Sequence, residues 1–169
     1  MKLIAPDYYN DFHCIANRCT HSCCIGWEID IDCDTLEFYS SIDGDFGRRL
    51  RDNICFDDTP HFKLKKDDCC PFLNENGLCD IIINLGQNSL CRICDDHPRF
   101  RNFYENRIEI GLGLCCEEAA RLILSRENKT TLCVLEDDKS TEIEQEFFSF
   151  RERIFGILQD RSQRFEQRI

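Results

Sequence analysis

Apolar residues recur every three or four positions near the carboxyl end of the sequence, a spacing that predicts a long amphipathic helix. Thr141 and Glu144 fit a capping box at the start of this pattern, because their side chains can accept hydrogen bonds from free backbone N–H groups. We expect the apolar face to pack on the rest of the protein or on a further segment. Its members are Ile143, Phe147, Phe150, Ile154, Ile157, Leu158 and Phe165.

Shorter patterns upstream predict a mixture of helices and strands. Helices are expected at 34–42, 81–85, 89–95 and 116–126, with a break at Gly86. Strands are expected at 100–104, 107–112 and 130–135, the first two forming a hairpin around Glu105-Asn106. The predicted fold class is therefore α+β, mainly helical with short hairpins. We expect a cysteine-rich body over residues 1–136 and a helix over 137–169 that leads into a further carboxyl-terminal portion.

The composition adds one unusual feature, which is 14 cysteines in 169 residues. A formal net charge of −11 disfavours a nucleic-acid partner, and no apolar run is long enough to span a membrane. The apolar run at the amino end stops at Pro6 and does not fit a signal peptide. We therefore expect a cytoplasmic location, where metal ligation is a commoner use of cysteine than disulfides. A secreted disulfide scaffold is the rival interpretation.

The cysteines fall in groups whose spacings suit metal ligation. Cys91 and Cys94 would share one helix face, and Cys116 precedes a predicted helix whose N–H groups and dipole favour a thiolate. Neighbouring side chains diverge, so Cys23 and Cys24 either serve separate centres or divide into one ligand and one packing residue. Three isolated cysteines are expected to pack as small apolar side chains: Cys33, Cys55 and Cys133.

Four blocks of the sequence contain most of the cysteines. The first covers 12–32 and contains a Cys-x4-Cys-x3-Cys-Cys pattern, and the second covers 70–81 and opens with Cys-Pro-Phe-Leu. The third covers 85–99, with Cys-Asp-Asp-His-Pro-Arg at its end, and the fourth covers 114–122, with Cys-Cys-Glu-Glu-Ala-Ala-Arg-Leu. Together these four blocks resemble the flagellin lysine-N-methylase family. A broader group, the zinc- or iron-chelating domains with a clustered Cys signature, shares the first two blocks.

This resemblance implies a cytoplasmic protein that transfers a methyl group from S-adenosylmethionine to lysines of flagellin, its expected partner. It also implies an iron–sulfur cluster, most simply 4Fe-4S, with zinc as the alternative metal. Eight thiolates could build two four-cysteine centres, or one centre with the others packed around it. Two other functions stay open, a non-catalytic zinc- or iron-chelating module and a redox or electron-transfer protein. The implied ligands are Cys14, Cys19, Cys23, Cys24, Cys70, Cys79, Cys94 and Cys116.

Some positions depart from the family pattern. Glu117 stands where proline is usual, and His97 stands where an aromatic residue is usual. The segment 108–114 superficially resembles the Gly-rich loop of a Rossmann-like methyltransferase, but Cys115 replaces its third glycine, and the repeating strand–helix units are missing. Catalytic and donor-binding residues are therefore left unassigned. Three cysteines are additional to the pattern: Cys69, Cys91 and Cys115.

Overall fold

A four-stranded mixed sheet forms one part of the structure, a computed structural model that describes residues 1–137 and 145–169. β1 lies parallel to β5 and antiparallel to β6, whereas β4 and β5 form an antiparallel hairpin. The hairpin and β6 confirm the predicted strands, while β1 and its parallel pairing were not expected. In spatial order the strands are β4 (Arg99–Phe103), β5 (Arg107–Leu112), β1 (Lys2–Pro6) and β6 (Leu132–Asp137).

Helices make up most of the rest, together with a small antiparallel pair, β2 (Ile54–Cys55) and β3 (His61–Phe62). The four predicted upstream helices are confirmed, and α2 is an addition. Gly86 ends α3 with a φ of +91°, a left-handed conformation that glycine adopts without strain. None of the described helices combines the length and apolarity that a bilayer crossing requires. The helices are α1 (Cys33–Ser41), α2 (Gly44–Asp52), α3 (Asp80–Leu85), α4 (Arg92–Asp96), α5 (Glu117–Leu124) and α6 (Gln145–Leu158).

Two apolar clusters stabilise the fold, and we call them the helical core and the sheet core. The buried members of the helical core are Ile29, Ile31, Tyr39, Leu50, Ile54, Phe62, Cys70, Phe72, Ile81 and Cys91. In the helical core the rings of Phe62 and Phe72 meet edge to face with centroids 5.0 Å apart, an arrangement that adds to the energy of burial. The buried Tyr39 hydroxyl donates a hydrogen bond of 2.7 Å to the carbonyl of Ser89. The sheet core is built from Tyr8, Phe12, Leu112 and Ala119.

Backbone hydrogen bonds join the segment 24–31 to the segment 60–70 in an irregular ladder. Cys70 N donates to Cys24 O at 2.8 Å, and Gly26 N donates to Asp68 O at 3.0 Å. Further along, Phe62 N donates to Ile29 O at 3.1 Å. Ile29 and Ile31 alternate with the exposed Asp30, so this extended segment buries its apolar side chains in the helical core and turns Asp30 outward.

One carboxylate, that of Asp32, caps two helices. Its Oδ1 accepts from Thr35 N at 3.2 Å at the start of α1, and its Oδ2 accepts from Arg92 N at 2.8 Å at the start of α4. Both N–H groups would otherwise lack an intrahelical partner. Burial acts to raise the pKa of Asp32, but hydrogen bonds from Arg92 and Thr35 outweigh it and lower that pKa below its usual value.

The helix α6 packs on the sheet through a different face from the one predicted. Phe148 is buried and lies under the guanidinium of Arg107 at 3.9 Å from the ring centroid, while Arg151 Nη1 donates to Glu109 Oε2 at 2.7 Å. Along the described part of the predicted stripe, Phe150 and Ile157 are 54% and 55% exposed, whereas the ring of Phe147 contacts that of Tyr104. The expectation that this stripe packs on the rest of the described protein is therefore wrong for Phe150 and Ile157, because α6 docks through Phe148 and the ion pair of Arg151 with Glu109. Packing on a further segment stays a prediction.

The chain turns back toward the body after Leu158. Gln159 Nε2 donates to Thr130 O at 3.1 Å, and Thr130 N donates to Gln159 Oε1 at 2.6 Å. These contacts end the helix, and Phe165 lies in a separate 3-10 turn rather than on the continued apolar stripe. The predicted capping box at Thr141 and Glu144 lies outside the described residues.

Replacing Asp32 by Ala should destabilise the protein by about 2 kcal/mol, because one helix cap and a second backbone hydrogen bond are lost together. Urea unfolding followed by circular dichroism measures this change. Asp34→Ala is the matched control, since Asp34 is exposed and forms only a long surface ion pair of 3.4 Å with Arg92. This substitution should lower the unfolding free energy by about 0.5 kcal/mol or less.

The pH dependence follows from the lowered pKa of Asp32. A carboxyl group with a lowered folded-state pKa stabilises the protein above its unfolded pKa of about 3.9, and this contribution is lost as pH falls through the folded value. The difference in unfolding free energy between wild type and Asp32→Ala should therefore be constant near neutral pH and narrow below about pH 4. Equal stability of the two proteins at neutral pH would contradict the double-cap role.

Candidate functional site

All fourteen cysteines are free thiols in the structure, and most of the predicted ligands collect in two places. We call the first place the core thiol group, which consists of Cys24, Cys70, Cys79, Cys91 and Cys94. We call the second place the loop thiol group, which consists of Cys14, Cys19 and Cys116. Cys23 lies between them, within electrostatic reach of Cys19 in one group and of Cys79 in the other.

The core thiol group lies against the helical core, where Cys70 and Cys91 are buried and the other three are partly buried. The backbone ladder places Cys24 beside Cys70. Arg49 of α2 holds the 70–80 segment in place, because its guanidinium donates to Pro71 O at 2.9 Å and pairs with Asp80 Oδ2 at 2.8 Å. Three separate segments of the chain thus bring their thiols within electrostatic reach of one another.

The pKa values of Cys70, Cys79 and Cys94 are raised, whereas those of Cys24 and Cys91 are lowered. Burial raises the pKa of Cys70 to about 11, and the neighbouring Cys79 and Cys91 add to this shift. The interaction of Cys94 with the Cys91 sulfur, followed by burial, raises the pKa of Cys94. The same interaction, helped by the backbone N–H of Cys94, lowers the pKa of Cys91. Of this pair, Cys91 is therefore the thiol that ionises first.

The adjacent Cys23 and Cys24 show the same asymmetry. The contact with Cys24, followed by burial, raises the pKa of Cys23, whereas the contact with Cys23 lowers the pKa of Cys24. Cys24 packs against the helical core while Cys23 is exposed. Of the two members that the sequence could not separate, Cys24 belongs to the core thiol group, and it is the one that ionises first.

The loop thiol group forms where the 14–20 segment meets the start of α5. Cys14 and Cys19 flank a 3-10 turn at Ala16–Arg18, and Cys116 is the N-cap residue of α5, as predicted. Burial raises the pKa of Cys19, followed in effect by Glu117 and then by Cys116, Cys14 and Cys23. The thiols of this group are therefore close enough to influence one another's ionisation.

Glu117 joins the two halves of the loop thiol group. Its Oε2 accepts hydrogen bonds from Thr20 N at 2.7 Å, Thr20 Oγ1 at 2.7 Å and His21 N at 3.0 Å. Because Glu117 follows Cys116 and Thr20 follows Cys19, this carboxylate fixes two predicted ligands relative to each other. The residue that departs from the family pattern thus has a positioning role that the sequence alone did not reveal.

His97, the other departure, takes the packing place of an aromatic residue. Its ring stacks on that of Trp27 with centroids 6.3 Å apart and an interplanar angle of 26°. Burial lowers the pKa of His97, so its imidazole is uncharged at neutral pH.

The remaining cysteines differ in environment. Cys91 is buried within the core thiol group, and the signal that could have placed it there is its helical spacing from Cys94. Cys69 and Cys115 belong to neither thiol group as defined here. The prediction that the isolated cysteines are buried is wrong for Cys33 and Cys133, which are exposed on α1 and on β6.

The donor set of both groups fits a soft metal, because thiolates select zinc, copper(I) or iron–sulfur clusters. Within residues 1–137 and 145–169, no three His, Cys, Asp or Glu side chains are arranged as a ready-made site for an ion. The metal and its type therefore remain expectations, supported by the gathering of the thiols in two small regions.

These features define a cysteine-rich α+β protein with two clusters of free thiols. Neither a protein-family model nor a solved structure matches the chain. It is 31% identical over 134 residues to the flagellar biosynthetic protein FliU of Salmonella muenchen, covering 71% of this chain and 75% of that protein. The chain therefore belongs to the family of FliU and the lysine-N-methylases, as the sequence blocks predict.

The lysine-N-methylases in this family are much longer than the chain. Those of Salmonella typhimurium and Salmonella choleraesuis are each 29% identical to it over 134 residues, in alignments that cover 71% of this chain and 32% of each relative. The matched region of these relatives is thus a minor part of their length.

Replacing Glu117 by Ala should free the backbone amides of Thr20 and His21, since both lose their hydrogen-bond acceptor. Hydrogen–deuterium exchange read by mass spectrometry should show faster exchange in peptides covering residues 19–23. Glu118→Ala is the matched control, because Glu118 pairs with Arg121 on the same helix, where Arg121 Nε donates to Glu118 Oε2 at 2.7 Å. Unchanged exchange in Glu117→Ala would rule out the positioning role.

Proposed function

We propose that the chain is the cysteine-rich, metal-binding part of a protein-lysine N-methyltransferase that acts on flagellin. The observation that carries this proposal is membership of the family of FliU and the lysine-N-methylases, whose names denote flagellar biosynthesis and lysine methylation. The fourteen free thiols suit a reducing compartment such as the cytoplasm.

The proposed reaction uses S-adenosylmethionine as methyl donor. The deprotonated ε-amine of lysine attacks the methyl carbon, the carbon–sulfur bond of the sulfonium breaks, and the electron pair stays on sulfur, which gives S-adenosylhomocysteine. The amine loses its proton to solvent or to a base. Such a transfer depends chiefly on holding amine, methyl and sulfur in line, so substrate-positioning groups matter more than strong acids or bases.

The metal that we propose for the core thiol group is an iron–sulfur cluster, with zinc as the alternative. Cys24, Cys70, Cys79 and Cys94 would hold it, with Cys91 as a further thiol that the family pattern does not include. When bound, such a group would cross-link separate segments of the chain and, as a cluster, could also carry an electron.

Anaerobic purification followed by counting iron, sulfide and zinc per chain tests the metal. We expect a brown protein with iron and sulfide in equal amounts, or a colourless one with zinc. Cys70→Ser should lose most of the metal and unfold more easily, because ligand binding and folding are coupled in such sites. Cys133→Ser is the control and should keep both, since Cys133 is exposed on β6. Metal loss in both variants, or in neither, would contradict the assignment.

Methyl transfer is tested with a chimera in which this chain replaces the matched third of the Salmonella typhimurium lysine-N-methylase. We expect labelled methyl from S-adenosylmethionine to appear on flagellin lysines with the chimera, and less of it when the chimera carries Cys70→Ser. A second candidate is a metal module without catalytic activity, for which the gathered thiols of the core thiol group would suffice. A folded, metal-loaded chimera that never labels flagellin would support that candidate and contradict methyl transfer.

A further inference from the structure

An open groove of about 750 Å³ lies between the 22–32 segment and the 92–100 segment. Its walls are largely apolar, with Ile25, Trp27, Ile93 and Phe100 among the lining residues. Cys23 also lines it, so the groove adjoins the residue that lies between the two thiol groups. The groove therefore lies where a small ligand would be held beside the candidate metal-binding region.

Trp27 is fixed in the wall of the groove. Its indole Nε1 donates to Cys23 O at 2.7 Å, and its ring stacks on the uncharged His97. A tryptophan face attracts cations, and an interaction of this kind contributes about 0.5–1 kcal/mol at an exposed site. Because His97 is neutral at neutral pH, it does not oppose a cation placed against Trp27.

Three carboxylates line the groove, and they differ in their partners. Asp32 is occupied by the two helix caps, and Asp96 forms an ion pair with Arg101. Asp30 is exposed, and among the described residues no hydrogen bond or ion pair engages its carboxylate. Its position follows from the alternation that buries Ile29 and Ile31. Asp30 is thus the lining carboxylate that is available to a ligand.

The two arginines that line the groove are held by groups outside it. Arg92 pairs with Asp34 at 3.4 Å, and the guanidinium of Arg99 lies over the rings of Tyr9 and Phe12 at 5.9 and 5.4 Å. Neither Asp34 nor the two rings line the groove. An incoming cation therefore meets an aromatic face and a free carboxylate rather than two unpaired guanidinium groups.

We propose that this groove binds the side chain of a substrate lysine, with its methylenes along the apolar wall and its ammonium between Trp27 and Asp30. The inference rests on the proposed function and names the place where that function would hold its substrate. A four-carbon chain with a compact cation at its end suits a groove lined by apolar side chains and an unpaired carboxylate. The cationic sulfonium of the methyl donor is the other source of the same chemistry, and the experiment separates the two.

Trp27 is the single tryptophan of the chain, so its fluorescence reports on the groove directly. Titration of the purified wild-type chain with an Nα-acetyl-lysine amide should give a saturable change. The isosteric norleucine amide, which lacks the ammonium, should give little change. In Asp30→Asn the dissociation constant for the lysine amide should rise by about fivefold, the factor that one partly exposed charge pair supplies.

Asp45→Asn is the control, because Asp45 is an exposed acid that pairs with Arg48 on α2, and neither residue lines the groove. The affinity of this variant for the lysine amide should equal that of wild type. Circular dichroism checks that both variants are folded. Equal response to lysine and norleucine amides, or equal affinity in Asp30→Asn and wild type, would overturn the proposal. Saturation by S-adenosylmethionine but not by the lysine amide would assign the groove to the donor and also overturn it.

The test of the lysine groove can fail independently of the test of methyl transfer, because it measures binding of a lysine amide rather than labelling of flagellin. Lysine binding that depends on Asp30, together with a chimera that never labels flagellin, would keep this inference and contradict the methyl-transfer proposal. Conversely, an active chimera whose KM for flagellin is unchanged by Asp30→Asn would keep methyl transfer and contradict the lysine groove.

Discussion

The backbone ladder between residues 24–31 and 60–70 is the constraint on which the other features depend. Joining segments so distant in sequence costs loop entropy, which is offset by the burial of Ile29, Ile31 and Phe62 in the helical core. The ladder places Cys24 next to Cys70 and turns Asp30 outward. It leads directly to Asp32, whose carboxylate caps the first turns of α1 and α4. The contact of Cys24 with Cys70 and the outward position of Asp30 in the groove therefore both follow from this one backbone pairing.

The same pairing gives the neighbouring Cys23 and Cys24 different surroundings. Cys24 packs on the helical core, whereas Cys23 is exposed and lines the groove. The two thiols stay in contact with each other, so a single Cys-Cys step links the buried group to the wall of the groove. Glu117 makes a comparable link at the loop thiol group, where one exposed carboxylate holds the 19–21 loop against the start of α5.

Local signals made much of the fold predictable. Gly86 ends α3 because its backbone is left-handed, and the turn at Glu105-Asn106 sets the β4–β5 hairpin. The parallel pairing of β1 with β5 depends on contacts about one hundred residues apart, which no local pattern encodes. The exposure of the α6 stripe escaped prediction for a related reason, since periodicity shows that a helix has an apolar face but not what covers it.

The candidate site was predictable in its residue types and less so in its membership. Spacing singled out the cysteine blocks, but only the folded chain separates Cys24 from Cys23 and brings Cys91 into the core thiol group. No sequence pattern predicted that Asp30 and Trp27 line a groove. The availability of Asp30 depends on which neighbouring charges are already paired, and the position of Trp27 depends on its contacts with Cys23 and His97. Whether a carboxylate already has an ion-pair or hydrogen-bond partner can be read only from the folded structure.

The central claim is that thiols distant in sequence gather into two separate groups, and proximity mapping tests it most directly. The metal-free protein is treated briefly with a short reagent that bridges two thiols, and the bridged peptides are identified by mass spectrometry. The structure predicts bridges such as Cys24–Cys70 and Cys91–Cys94 within one group and Cys19–Cys116 within the other, with Cys133 unbridged. Bridges distributed without regard to these groups, or frequent bridges from Cys133 to the core thiol group, would contradict the account.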